Sequence, residues 1–313
     1  MRIVDWKSLD AAGRGQVLAR PIAATDDKVR TRVRRILDDV CVRGDAALVE
    51  YTRRFDKVAL DGTLVAKETA KLAWAALPED ERAALRQAKA NIEAYHKPQS
   101  PQPYTVKPMD GVVCRRVVRA IESVGLYVPG GSAPLVSSVL MLAIPAKLAG
   151  VKRVVMVSPP AADGGLDPRI LAAAYLCEVD EIYAVGGAQA IGALAYGTTS
   201  IDKVMKIFGP GNIYVAEAKA QVASAQGGPA IDLPAGPSEV MVLADAQANA
   251  GFVAADLLAQ AEHDPLAQCL CVCSSEDLAR RIMAQIEAQL LDLSRQDIAR
   301  ASLAHGRIVV SEK

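Results

Sequence analysis

The chain has 313 residues, 51% of them hydrophobic and 23% charged, and its 36 basic residues balance 36 acidic ones. Such a composition belongs to a globular protein of about two domains and excludes fibrous and disordered classes. Zero net charge leaves no electrostatic footprint for nucleic acid. No apolar run approaches the roughly 18 residues of a membrane span, and MRIVDWKSLD carries no apolar signal region, so the expected location is the cytoplasm.

Residues 27–97 have helical periodicity, in DKVRTRVRRILDDVCVRGDAALVEYTRRF and KETAKLAWAALPEDERAALRQAKANIEAYHK, with Pro78 starting or breaking a helix. The basic run VRTRVRR is offset by Asp38, Asp39 and Asp45 and reads as a solvated helix face. A proline-rich link, KPQSPQPYTVKP, leads to VVCRRVVRAIES, a strand or hairpin arm. A first boundary falls near residue 126.

Strand, turn and helix then alternate: KRVVMVSPP, PRILAAAYLCEV, DEIYAVGG, AQAIGALAYG, DKVMKIFGPG and NIYVAEAKAQVASA. The pattern restarts with SEVMVLAD and ANAGFVAADLLAQAEH, and continues through QCLCVCS and SEDLARRIMAQIEAQLLDL to GRIVVSE. This alternation predicts an α/β fold of two Rossmann-like parallel-sheet domains with an N-terminal helical region. The expected division is a helical region over 1–126 that packs with 240–313, an inserted Rossmann-like domain over 127–239, and a second Rossmann-like unit over 240–313. IFGPGNIYVAEAKAQ and VLADAQANAGFVAADLLAQ also read as two loose copies of one strand–helix unit.

Three glycine-rich turns, YVPGGSAP, VGGAQAIG and FGPGNIY, follow strands, where backbone N–H groups and helix N-termini converge on phosphates. None matches GxGxxG, because Gly209 and Gly211 are followed by Tyr214 where a third glycine belongs. Each is open to two readings, an anion cradle or a tight turn with a helix cap. DLPAGPSEV feeds a strand and brings Ser238 to a sheet edge, or is a plain interdomain link. The six cysteines include no CxxC; the CLCVC run is a buried strand or, less simply, a soft-metal face. Of the three histidines, His96 falls in a polar helix end and His305 in a loop, both solvated. His263 stands three residues after Gln260, on one helix face, as a metal-binding pair or a polar helix end.

Taken in series, VGLYVPGGSAPLVSSVLMLAIPAKLAGVKRVVMVSPP, VGGAQAIGALAYGT, KIFGPGNIYVAEAKAQV, IDLPAGPSEVMVLAD and DLLAQAEHDP resemble histidinol dehydrogenase, strongly from about 120 to 270 and weakly before 105. The resemblance implies a zinc-containing, NAD-dependent homodimer that oxidises L-histidinol to L-histidine through the aldehyde. It implies zinc and substrate contacts at Gln260 and His263, a substrate contact at Ser238, and NAD contacts at Tyr127, Gln189 and Asn212. The family pattern places a catalytic Glu-His pair and two further zinc ligands after the point matched by GRIVVSEK, so this chain alone is expected to be inactive. Two other readings stay open: an NAD-binding module without metal, and a related dehydrogenase of another hydroxylated small molecule.

Overall fold

A computed structural model describes residues 1–19, 27–130, 135–233 and 238–311. The chain forms two compact units, one of Met1–Ala24 with Gly236–Lys313 and one of Thr25–Ala235. The former opens with strand β1 (Arg2–Asp5) and helix α1 (Ala11–Leu18). The latter runs α2 (Asp27–Arg43), α3 (Asp45–Phe55), β2 (Leu64–Val65), α4 (Lys67–Ala76), α5 (Glu79–His96), β3 (Tyr104–Met109), β4 (Val112–Arg116) and β5 (Ser123–Tyr127). It continues with α6 (Val136–Leu148), β6 (Arg153–Ser158), α7 (Pro168–Leu176), β7 (Glu181–Ala184), α8 (Gly187–Tyr196), β8 (Lys206–Phe208), α9 (Ile213–Ser224) and β9 (Ala230–Ile231). The first unit resumes with β10 (Glu239–Ala244), α10 (Ala250–Ala261), β11 (Gln268–Cys273), α11 (Glu276–Leu290), α12 (Gln296–His305) and β12 (Arg307–Val310).

In the larger unit, six strands pair in the order β2-β7-β6-β5-β8-β9, parallel except for β2 at one edge. Successive strand residues point to opposite faces, and the alternation is visible in the two cores. Val124, Leu126, Val154, Met156 and Ile182 pack with α6 and α7, while Tyr127, Val155, Val157, Tyr183 and Ile207 pack with α2, α3, α8 and α9. From β5 the chain departs through β6 and β7 in one direction, and β8 and β9 lie in the other. The β5/β8 junction is therefore a topological switch point, outside whose carboxyl ends a ligand crevice is expected.

The boundary expected near residue 126 falls inside β5. Amphipathic helices need an apolar surface to cover, and the six-stranded sheet offers two. Val33, Leu37 and Leu48 of α2 and α3 share a core with Ile191 and Leu194 of α8, and Ala70 and Ala73 of α4 share the opposite core. Residues 27–126 thus belong with this sheet, not with 240–313. Only the Met1–Ala24 segment joins the latter, because β1 pairs with β12.

The smaller unit is a parallel four-stranded sheet, β1-β12-β11-β10. Leu257, Ile282 and Leu303 from α10, α11 and α12 pack in its core with Cys269, Cys271 and Cys273 of β11. Burial pushes the Cys271 thiol up to about 12, so CLCVC is a strand of protonated core thiols. His305 ends a helix instead of lying in a loop, because Ala299, Ser302 and Leu303 give α12 a buried stripe. Among the described residues no helix is long and apolar enough to cross a membrane.

Candidate functional site

The glycine-rich turns gather at the carboxyl edge of the six-stranded sheet. Tyr127 ends β5 and is buried, and its hydroxyl accepts a hydrogen bond from Gly187 N at 3.1 Å. Desolvation raises that hydroxyl to about 12, so it is a neutral phenol at physiological pH. Gln189, in the first turn of α8, is 1% exposed, and neither its Oε1 nor its Nε2 has a partner. A buried, unpartnered amide costs of the order of 1–3 kcal/mol and normally meets water or a ligand. Its Oε1 lies over Gly187, where an added Cβ would come within 2.6 Å.

Asn212 is the N-cap of α9: its Oδ1 accepts from Tyr214 N at 3.0 Å and Val215 N at 3.1 Å. That oxygen is spent on the helix, and the amide nitrogen of this exposed residue is what remains for a ligand. Of the two readings of the FGPGNIY turn, the structure shows the helix cap. Gly209 holds φ +118°, and a Cβ there would stand 2.1 Å from Tyr127 O, so the turn rides directly on the end of β5. Of YVPGGSAP, residues 131–134 lie outside the described residues, as do 234–237 of DLPAGPSEV.

An ion pair that the sequence reading missed secures this turn. Lys219, 2% exposed, donates to Gly209 O at 2.8 Å and to Asp232 Oδ1. Asp232 Oδ2 in turn accepts from Gly209 N at 2.9 Å. Both backbone polar groups of Gly209 are thus held by one ion pair, its lysine buried and its aspartate half-buried. A signal did exist: Lys219 interrupts the stripe Val215, Ala218, Val222 that α9 buries. A lysine in such a stripe requires a buried partner.

The candidates of the smaller unit sit at the opposite edge of their own sheet. Ser238 precedes β10, and its carbonyl accepts from Gln268 N, at the start of β11, at 3.1 Å. Helix α10 runs back from the carboxyl ends of the strands, so half-buried Gln260 and exposed His263 close it at the amino edge. His263 N bonds to Gln260 O at 3.2 Å, in the turn that ends the helix. Ser238 thus stands at a sheet edge, as expected, at the amino end where its strand begins.

A helix C-terminus favours cations, which suits a metal or an ammonium group near Gln260 and His263. A catalytic zinc takes three protein donors. The pair gives two neutral ones, and no group of three His, Cys, Asp or Glu converges among the described residues. These residues by themselves do not fit a zinc centre.

The family model for histidinol dehydrogenase matches residues 19–313. A histidinol dehydrogenase of Xanthomonas euvesicatoria pv. vesicatoria is 50% identical over 309 residues, 99% of this chain and 72% of that protein. That of Shigella dysenteriae serotype 1 is 47% identical over 310 residues, 99% of this chain and 70% of its own length. The crystal structure of histidinol dehydrogenase from Elizabethkingia anophelis superposes with a TM-score of 0.93 at 40% identity, covering 100% of this chain and 71% of that one. With a family model over nearly all of its length and relatives near 50% identity, the chain belongs to the histidinol dehydrogenase family.

Proposed function

We propose that this chain serves the NAD-dependent oxidation of L-histidinol to L-histidine through the aldehyde, in the cytoplasm and as a homodimer. Family membership supports the reaction. The observation that carries the cofactor is Gln189, a buried amide with both polar atoms unpartnered at the carboxyl edge of a doubly wound sheet. NAD, when bound, supplies the hydride acceptor. The N-termini of α8 and α9 would receive its pyrophosphate, Tyr127 would offer a neutral hydroxyl, and the Gln189 and Asn212 amides would donate to ribose or phosphate oxygens. The Lys219–Asp232 pair would keep the turn that bears Asn212 in place.

In the smaller unit, Gln260 and His263 would meet the amino alcohol at a helix C-terminus, whose dipole favours the ammonium group, with Ser238 at the same edge. Two donors fall short of a catalytic zinc, and we assign no residue as general base. The 313 residues alone are therefore expected to bind NAD without sustained turnover.

Calorimetric titration with NAD, followed by an NADH absorbance assay with L-histidinol and added zinc, tests the reading. Binding without turnover is the expected result. No heat with NAD would remove the dinucleotide site, and steady NADH formation would mean that a base and a further zinc donor lie among these residues.

A further inference from the structure

A second unpartnered polar group, a carboxyl oxygen, borders the edge assigned above to the dinucleotide. Helix α3 starts beyond the end of α8, where Ser200 Oγ donates to Asp45 Oδ1 at 2.8 Å and Gly44 approaches Thr198. The two helices share a core through Leu48, Ile191 and Leu194. They span 11 and 10 residues, nearly equal lengths. An antiparallel partner of equal length brings the C-terminus of α3 to the N-terminus of α8, the turn where Gly187 and Gln189 meet the Tyr127 hydroxyl. The residue that arrives there is Asp56, the C-cap of α3. Its charge is felt at the Tyr127 hydroxyl, as such proximity requires.

Asp56 is half-buried, and its Oδ2 is enclosed without a hydrogen-bond partner. The neighbouring cations do not pair with it: the Arg54 guanidinium lies over the Phe55 ring at 5.5 Å and Lys57 Nζ donates to Arg54 O at 2.9 Å. Burial raises its proton affinity above the ordinary aspartate value. A carboxylate whose enclosed Oδ2 has no donor, on the helix end that approaches the turn of the unpartnered Gln189 amide, is short of donors. A ribose vicinal diol supplies two donors, and the broad χ2 torsion of aspartate lets either carboxyl oxygen turn towards them.

We infer that Asp56 is the acceptor for ribose hydroxyls of the bound dinucleotide and the residue that selects NAD over NADP. The inference rests on the dinucleotide reading above and adds to it a residue and a selectivity. A carboxylate hydrogen-bonds the ribose 2′-hydroxyl, whereas a 2′-phosphate brought against the same half-buried carboxylate meets like charge in a poorly solvated place.

The test is calorimetric titration of the full chain, Asp56→Asn and Asp56→Ser with NAD and with NADP, each protein checked by circular dichroism and thermal melting. Wild type should bind NAD at least about tenfold more tightly than NADP. Loss of a charge-assisted hydrogen bond in Asp56→Asn should weaken NAD by roughly tenfold or more, and Asp56→Ser should bring the two affinities within a few-fold. Wild-type binding of NADP as tight as NAD overturns the inference without recourse to any variant. Unchanged affinities in the folded variants overturn it as well, while leaving the dinucleotide site standing. A wild-type chain that binds neither nucleotide removes the dinucleotide reading itself, and the inference with it.

Discussion

The six-stranded sheet carries its candidate residues at the carboxyl ends of its strands, and the four-stranded sheet carries its own at the amino ends. In a parallel sheet, each helix begins where one strand finishes and ends where the next begins. Tyr127, Gln189 and Asn212 therefore cluster around helix N-termini, which hold partial positive charge, whereas Gln260 and His263 close a helix at its partially negative end. One strand–helix unit thus offers two sites of opposite preference: an anion site at its start and a cation site at its finish. In the function proposed above, the β8–α9 unit would use its start and the β10–α10 unit its finish, a division that would suit a dinucleotide with a pyrophosphate and an amino alcohol with an ammonium group.

Both units cap their helix with an asparagine that accepts from two backbone N–H groups, Asn212 in α9 and Asn249 in α10. What sets β8–α9 apart is the buried clamp, and removing it is the largest expected effect. Lys219→Met would leave Asp232, 20% exposed at its side chain, without its counter-ion and Gly209 O without its donor. Breaking a fully buried pair from one side costs about 3–5 kcal/mol, and the partly exposed Asp232 brings the expected loss towards the lower end of that range. The Lys219→Met/Asp232→Asn double variant, which buries no uncompensated charge, should lose clearly less than the sum of the two single variants. Denaturant midpoints measure both, and a loss below about 1 kcal/mol in the single variant would show that the turn does not depend on the clamp. In the β10–α10 turn, Asp245 accepts from Gln247 N at 2.9 Å, and no ion pair holds that turn among the described residues.

A smaller effect separates the two caps. Asn212→Ala and Asn249→Ala should each cost about 1 kcal/mol, the usual worth of an N-cap. Only Asn212→Ala should also weaken NAD binding in a calorimetric titration. Equal stability losses with no difference in NAD affinity would reduce Asn212 to a cap and erase the functional contrast between the two units.

Much of this was legible in the sequence, because alternating strand and helix periods and glycine-rich turns are local signals. They placed β6, β7, β8, β10, β11 and β12, though not β5 or the two-residue β9, and brought Tyr127, Gln189 and Asn212 to glycine-rich turns. What local signals could not carry was the partner of each surface. The amphipathic stripes of α2 and α3 announce that something covers them, but not that it is the β5–β7 face. Lys219 announces a buried partner, but Asp232 lies 13 residues away across a strand. Asp56 reads as an ordinary helix-end aspartate until α3 is laid against α8. The proline-rich link announced that Ser238 stands at a sheet edge, but not which residues of the neighbouring strand would meet it there.

The smallest expected effect tests the finish of β10–α10. His263 is exposed, lies past the last turn of α10, and contributes no side-chain hydrogen bond to the fold among the described residues. Truncating a residue with no packing or polar role changes stability by no more than about 0.5 kcal/mol, so His263→Ala should melt with wild type. An imidazole that stability does not require is free to serve a ligand, and the same variant reads that role separately. With Gln260 it forms a two-donor pair, and two neutral donors chelate zinc weakly, since affinity comes mainly from ligand number and anionic charge. Zinc added to the 313-residue chain should therefore bind weakly and in fast exchange, perturbing the His263 ring signals in an NMR titration, and His263→Ala should abolish that perturbation. A melting temperature lowered by many degrees would make His263 a structural residue. Ring signals untouched by saturating zinc would take it out of the metal pair and leave the helix end to the ammonium group alone.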